Sequence, residues 1–212
     1  MSNILALHSS LSREQAISSK LVDQTVAALR RAAPRSQVVV RDLAAAPIPH
    51  LDGEAIAEIR GATSEAGDGA ARALSMRLVD ELKAADILVI GAPMYNFGIA
   101  SSLKASFDYV LHPGITFKYG EGGPKGLLTG KRAIVILTRG GFFSDGPAKA
   151  MDSQEPHLRT LLWFMGVTDV TFVHAERLAS GPQAVETALA AAEQKIAQAV
   201  EGVLAESTGA AA

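Results

Sequence analysis

The sequence predicts an α/β protein with a doubly wound, five-stranded parallel sheet and helices on both faces. Its 212 residues are 48% hydrophobic and 20% charged, which is typical of one globular domain. Five short apolar runs occur along the chain, and helical patterns separate them. Repeated alternation of strand and helix favours a parallel sheet, for which we expect the order 2-1-3-4-5. We expect one domain over residues 1–206 and a frayed tail over 207–212.

Continuous apolar runs predict the strands, because a strand buried on both faces has no polar alternation. The runs cover residues 4–7, 38–40, 87–90, 133–137 and, more weakly, 170–173. Apolar residues between the runs recur at helical spacing, from Leu21 to Leu29, Leu78 to Leu82, Leu103 to Leu111, Leu158 to Met165 and Val185 to Val203. The glycine-rich stretch 61–69 separates two helical stretches rather than two domains.

Composition excludes several function classes. Twenty Lys and Arg against 22 Asp and Glu give a net charge of −2, which disfavours nucleic-acid binding through a basic field. The chain has no cysteine, and its five histidines show no H-x-x-x-H spacing, so we expect no metal site. We see no secretory signal and no apolar run near the ~20 residues of a membrane helix. We therefore expect a cytoplasmic protein without a membrane anchor.

Three familiar motifs are missing. The first predicted strand is followed by no G-x-G-x-x-G dinucleotide fingerprint, and the chain has no G-x-S-x-G nucleophile elbow. Residues 126–132 approach a phosphate-binding P-loop, but only three residues separate the glycines and Arg132 stands at the Ser/Thr position.

The loops after strands 1, 3 and 4 carry the chemical signals. Residues 8–20 are serine-rich and precede a helix, whose free N–H groups favour an anion, unless Ser18 or a neighbour only caps that helix. Residues 91–98 place aromatic side chains in a loop, where they either cover a flat ring or plug the core. Residues 138–147 contain two adjacent glycines that permit close backbone approach, and Arg139 offers a fixed charge, unless this is an ordinary turn. A ligand with an anionic end and a flat aromatic end, such as FMN, fits the three loops together.

The segment A-P-M-Y-N-F at 92–97 resembles the flavin loop of FMN-dependent NADH-azoreductases, a branch of the flavodoxin-like quinone reductases. The similarity covers nearly the whole chain and includes R-G-G at 139–141. The resemblance implies a flavodoxin-like domain whose FMN phosphate is bound near the first strand, whose ring is held by the loop after strand 3, and whose pyrimidine side meets the loop after strand 4. The implied binding residues are Ser10, Ala16, Ile17 and Ser18 for the phosphate, Met94, Tyr95, Asn96 and Phe97 for the ring, and Thr138, Arg139, Gly140 and Gly141 for the pyrimidine side.

The resemblance also implies an activity. NADH or NADPH would reduce the flavin, which would then reduce a quinone or cleave an aromatic azo compound, with no obligatory acid or base from the protein. It implies a homodimer with the active site at the subunit interface. Five aromatic residues are candidates for lining the substrate pocket, with ordinary packing as the alternative for each: Phe117, Tyr119, Phe142, Phe143 and Trp163.

One departure concerns the phosphate loop, where the family usually has S-x-S and this chain has Ala16-Ile17-Ser18. We expect the lost hydroxyl to weaken FMN binding by ~1 kcal/mol. Arg139 and Arg13 are candidates for contacting the 2′-phosphate of NADPH, unless they are simply solvated. A non-enzymatic electron carrier is one alternative, although a net charge of −2 is low for such a protein. A flavin-less α/β binding module is another.

Overall fold

Each of the five apolar runs forms a strand of one parallel sheet in the computed structural model, which describes residues 2–12, 16–61 and 69–209, with side chains to residue 204. The strands are β1 (Asn3–His8), β2 (Gln37–Asp42), β3 (Ile87–Pro93), β6 (Arg132–Thr138) and β7 (Asp169–Ala175). Their order is β2-β1-β3-β6-β7, which confirms the predicted order 2-1-3-4-5 of the apolar runs.

Helices cover both faces of the sheet. They are α1 (Ile17–Ala32), α2 (Gly53–Arg60), α3 (Ala70–Ala84), α4 (Ser101–Val110), α5 (Glu155–Met165) and α6 (Pro182–Gly209). Alternate residues of each strand face opposite sides, so Ile4 and Val89 pack under α1 and α6, whereas Leu5 and Leu88 pack under α2 to α5. Among the described residues, no helix is both long and apolar enough to cross a bilayer.

One sequence expectation is wrong at the edge of the sheet. The run at 38–40 was expected to be buried on both faces, but β2 is an edge strand, and Val39 and Val40 are 47% and 60% exposed. Helix α6 extends to Gly209, and residues 210–212 of the expected tail lie outside the described residues.

A small antiparallel hairpin, β4 (Phe117–Gly120) with β5 (Gly123–Gly126), follows α4 and was not predicted. Glycine, lysine and proline dominate β5, so the segment has no apolar run to signal a strand. The hairpin lies against the end of α5, where a Cβ on Gly126 would come within 2.0 Å of the Gly166 nitrogen. Glycine at 126 is therefore required for this close approach.

Candidate active site

The predicted loops meet in an open crevice of about 320 Å³ at the carboxyl ends of β1, β3 and β6. Such a position follows from the order of the sheet, because β1 and β3 are neighbours whose chains leave in different directions. The described residues that line it include no acidic side chain. They are Ser10, Ser12, Ala16, Ile17, Ser18, Pro93, Met94, Tyr95, Thr138, Arg139, Gly140 and Leu178. Of the predicted binding residues, only Asn96, Phe97 and Gly141 lie outside this lining.

One end of the crevice is the N-terminus of α1. Ala16 is its N-cap residue and makes no side-chain cap hydrogen bond, so Ser18 lies in the first turn and does not cap the helix. The first helical hydrogen bond runs from the Lys20 N–H to the Ala16 carbonyl at 3.1 Å. The N–H groups of residues 17–19 therefore have no acceptor within the helix, and the helix dipole adds partial positive charge there. The α1 end of the crevice is therefore suited to bind an anion.

A tight turn at Tyr95–Gly98 forms the next part of the crevice wall. Tyr95 and Gly98 exchange two backbone hydrogen bonds of 3.0 Å, and both residues between them have positive φ, 47° for Asn96 and 71° for Phe97. Paired positive φ values are the signature of a type I′ turn. Asparagine tolerates this region, but a bulky residue such as phenylalanine rarely adopts it. The turn leaves the Phe97 ring 47% exposed.

Hydrogen bonds hold this turn in register with its neighbours. The Met94 N–H donates to the Thr138 carbonyl at 2.9 Å, which ties the turn to the end of β6. The Tyr95 hydroxyl oxygen accepts the Leu11 N–H at 3.1 Å and lies 3.4 Å from the Ser10 hydroxyl. Tyr95 therefore connects the ring loop with the loop after β1.

The Arg139 side chain does not face the crevice, so the expectation that its charge is available to a ligand is wrong. The residue is 1% exposed, and its guanidinium donates to Asp152 at 2.8 Å, Gln154 at 2.8 Å and Glu176 at 3.0 Å. Burial of an arginine requires such pairing, because an unpaired charge is costly away from water. Only the Arg139 backbone is placed to meet a ligand. Arg13, the other candidate for a 2′-phosphate, lies outside the described residues.

Glu176, which follows β7, forms hydrogen bonds with residues 143 and 144, after the two glycines. One carboxylate oxygen accepts the N–H groups of Phe143 and Ser144 at 2.9 and 3.0 Å, and the other accepts the Ser144 hydroxyl at 2.5 Å. Burial pushes the pKa of Glu176 upward, but hydrogen bonds from Ser144, Phe143 and Arg139 outweigh it and hold the pKa below its ordinary value. Glu176 is therefore an ionised anchor for the β6–β7 side of the crevice.

Arg139 and Glu176 extend this anchoring to β3. The Gln154 side-chain amide accepts from Arg139 and donates to the Ala92 carbonyl at 2.7 Å, just before the ring loop begins. We call the four side chains of this connection the buried network; they belong to Arg139, Asp152, Gln154 and Glu176. It fixes the ends of β3, β6 and β7 relative to one another.

The five aromatic pocket candidates do not form one group. Phe143 packs edge-on against Phe97, with ring centroids 6.0 Å apart. Phe142 is half-exposed and lies under Arg177. Phe117 is buried at the base of the hairpin, and Tyr119 beside it is 72% exposed. Trp163 on α5 is 57% exposed in a separate groove with Arg159 and Val170, so it neither lines the crevice nor packs in the core.

Sequence reasoning missed several residues of the site. Ser12 belongs to the serine-rich loop that was recognised, so its hydroxyl had a signal. Leu178 and Glu176 follow β7, whose carboxyl-end loop contains no glycine pair or aromatic cluster. Asp152 and Gln154 reach the site through long-range contacts that no local pattern indicates. No group of His, Asp or Glu in the described part of the chain is arranged to hold a metal ion.

A family model described as "Flavodoxin-like fold" matches residues 2–200. The chain belongs to this flavodoxin-like family. Among curated flavodoxin-like relatives, FMN-dependent NADH:quinone oxidoreductase of Hyphomonas neptunium is 50% identical, with 93% of this chain and 95% of the relative covered. The Azotobacter vinelandii protein of the same name is 47% identical, with 93% and 99% covered. An azoreductase structure from Bacillus anthracis has a TM-score of 0.84 at 28% identity, with 94% and 99% covered.

The crevice of this flavodoxin-like chain has a donor set that fits FMN. A phosphate needs N–H and O–H donors, and the α1 N-terminus with Ser10 and Ser18 provides them. A flat heterocycle needs apolar cover and backbone polar groups, and Met94, Tyr95 and the 138–140 backbone provide those. The absence of a carboxylate among the described lining residues suits an anionic ligand.

Proposed function

We propose that this chain is an FMN-dependent NADH:quinone oxidoreductase that also reduces aromatic azo compounds. The observation that carries the proposal is the crevice itself, which combines an uncapped helix N-terminus with a wall of Met94, Tyr95 and the 138–140 backbone at the carboxyl ends of β1, β3 and β6. Relatives at 50% and 47% identity, matched over nearly their whole length, are FMN-dependent NADH:quinone oxidoreductases.

FMN, when bound, supplies two-electron transfer between a nicotinamide donor and the acceptor. The chain provides binding and orientation. The N–H groups of Ile17 and Ser18, with the Ser10 hydroxyl, hold the phosphate. Met94, the 95–98 turn and the 138–141 backbone would hold the ring. The N–H groups of Met94, Tyr95, Gly98 and Arg139 already donate within the protein, so those of residues 96, 97, 140 and 141 would be the ones to donate to it. We assign no side chain as general acid or base.

The proposal includes a homodimer with the active site at the subunit interface. Phe97 and Phe142 lie exposed beside the crevice and Tyr119 lies exposed on the hairpin, and the crevice is open to solvent. A second subunit covering Phe97 and Phe142 would exclude water and form the opposite wall of the substrate slot. Sedimentation equilibrium tests this assembly, and a monomer with full activity would contradict it.

We also propose a cytoplasmic location, because NADH is produced inside the cell. Cell fractionation tests this location.

A visible spectrum tests the function. The protein, purified and supplied with FMN, should retain a flavin band after desalting, lose it on adding NADH and regain it on adding menadione. An electron carrier would retain flavin but oxidise NADH slowly, and a flavin-less binding module would stay colourless. Either of those results would refute the oxidoreductase.

A double variant tests the ring loop with a matched control. Tyr95→Ala with Asn96→Ala removes both side chains from the turn and should lower flavin occupancy and turnover together. Gln183→Ala, at an exposed position in the first turn of α6, should leave both unchanged. Unchanged occupancy and turnover in the double variant would show that the ring lies elsewhere.

A further inference from the structure

Arg177, two residues beyond the end of β7, has an unusual backbone conformation. Its φ is 61°, in the left-handed region that a long side chain rarely occupies. A residue kept in such a conformation is a candidate for a functional contact, because glycine would adopt it without strain. The surrounding turn is well fixed: the Arg177 N–H donates to the Gly141 carbonyl at 2.8 Å, and the Leu178 N–H donates to the Arg139 carbonyl at 3.1 Å.

These hydrogen bonds place Arg177 at the rim of the crevice. Its successor Leu178 lines the crevice, and its partner Gly141 follows the lining residue Gly140. The Arg177 guanidinium carbon lies 4.4 Å from the centroid of the Phe142 ring. The guanidinium lies over the ring and the Arg177 side chain is exposed, so its N–H donors are accessible to a ligand.

The charge of Arg177 is not neutralised by a carboxylate among the residues that the structure describes. The carboxylate of the adjacent Glu176 accepts hydrogen bonds from Arg139, Ser144 and Phe143. The Arg177 side chain contacts the Phe142 ring. An exposed guanidinium has planar N–H donors that are well shaped to bind a phosphate group through two hydrogen bonds.

The FMN phosphate is not the group that reaches Arg177. That phosphate belongs at the α1 N-terminus beside β1, and β3 and β6 lie between β1 and β7 in the sheet. Three strand spacings amount to about 14 Å. Quinones carry no obligatory charge, so the nicotinamide donor is the remaining reactant with phosphate groups.

We propose that Arg177, stacked on Phe142, binds a phosphate of the nicotinamide donor at the β7 rim of the crevice. This inference rests on the proposed function, because the donor is the one that function requires. It assigns the donor's anionic half to the side of the crevice opposite the FMN phosphate.

Steady-state kinetics with two donors provide the first test. Arg177→Gly removes the charge and suits the observed φ, so the variant should fold. Its KM for NADH should rise about tenfold with little change in kcat. The KM for 1-benzyl-1,4-dihydronicotinamide, which has no phosphate, should stay the same. Arg177→Lys retains the charge without the planar guanidinium, so its KM for NADH should lie between those of the wild type and Arg177→Gly.

Several results would overturn the proposal. One is an unchanged KM for NADH and NADPH in Arg177→Gly, and another is an equal rise for the phosphate-free donor, which would indicate a local structural disturbance. A change limited to a sulfonated azo acceptor would assign Arg177 to the acceptor instead. If the rise for NADPH greatly exceeds that for NADH, the phosphate bound is the 2′-phosphate; equal rises indicate the diphosphate.

A binding measurement separates this inference from the proposed function. Calorimetric titration with ADP-ribose, which contains the diphosphate but cannot react, should show binding to the wild-type holoprotein that is about tenfold weaker in Arg177→Gly. Arginine-dependent binding by a protein that fails to oxidise NADH would refute the proposed function and leave the phosphate site standing. Equal affinity of both proteins for ADP-ribose and for ADP-ribose 2′-phosphate would refute the phosphate site.

Discussion

The two ends of the crevice are built in different ways. At the α1 end, the binding groups are backbone N–H donors and serine hydroxyls that belong to one short stretch of chain. At the β6–β7 end, the backbone of 138–141 is positioned by the buried network, whose members come from three separate segments. The first end depends on local conformation, and the second depends on buried charges that hold each other. Damage to the second end should therefore cost far more stability.

The largest effect is expected from Arg139→Met. The substitution leaves Glu176 and Asp152 without their cation and should lower the free energy of unfolding by about 3–5 kcal/mol. Arg159→Met is the matched control, because Arg159 is exposed and its pair with Glu155 should contribute less than about 1 kcal/mol. Urea unfolding measures both. Equal losses in the two variants would contradict the difference between the two ends of the crevice.

Glu176→Gln tests the β6–β7 end of the crevice through the pH dependence of the free energy of unfolding. The folded pKa of Glu176 is depressed, so its contribution is present above the unfolded pKa of about 4.3 and is lost as pH falls through the folded value. The variant should be less stable near neutral pH, and its stability should fall less steeply in acid. Unfolding measured between neutral and acid pH tests this prediction.

Glu155→Gln is the control for that pH profile. Burial raises the pKa of Glu155, but hydrogen bonds from Arg159 and His174 lower it below its ordinary value, so this residue also contributes an acid-side loss. The Glu155→Gln variant should retain the loss of stability in acid that is due to Glu176. A Glu176→Gln profile as steep as that of the wild type would show that the Glu176 carboxylate does not anchor the fold.

Ala16→Ser tests the α1 end and should improve it. A serine at this N-cap position adds a hydroxyl beside the free N–H groups, and FMN binding should tighten by about 1 kcal/mol, roughly fivefold. Fluorescence titration with FMN and with riboflavin measures the gain. Riboflavin has no phosphate, so an equal gain for both ligands would show that the hydroxyl acts on the helix rather than on the phosphate.

Tyr95→Phe should have the smallest effect, because its hydroxyl connects two loops at an exposed place where water can replace it. Loss of the acceptor for the Leu11 N–H should weaken FMN binding by about 0.5 kcal/mol, roughly twofold, without changing the unfolding midpoint. A loss of tenfold or more would mean that the tyrosine contacts the ligand through its hydroxyl.

Sequence patterns predicted those features of the molecule that are set by residues close together in the chain. Five apolar runs defined the strands and their order, and the loops holding Ser10, Met94 and Gly140 were expected to meet because parallel strands end at the same edge. The buried network was unpredictable because nothing adjacent to Arg139 indicates that its partners lie at 152, 154 and 176. An arginine in a loop looks equally suited to a ligand or to a buried carboxylate.

The same limit applies to the hairpin and to β2. Contacts between Gly126 and Gly166 position β5 without any apolar pattern in its sequence. The valines of β2 resemble those of a central strand, although the predicted order 2-1-3-4-5 places this strand at an edge, where Val39 and Val40 are exposed. The hairpin depends on a contact between distant segments that no local pattern indicates, and the run of valines alone does not distinguish an edge strand from a central one.

The most direct test of the site is a crystal structure of the protein with FMN. We predict phosphate oxygens within hydrogen-bond distance of the Ile17 and Ser18 N–H groups, and the ring between the 95–98 turn and the 138–141 backbone. FMN bound outside the crevice, or with its phosphate at the β6–β7 end, would contradict the account.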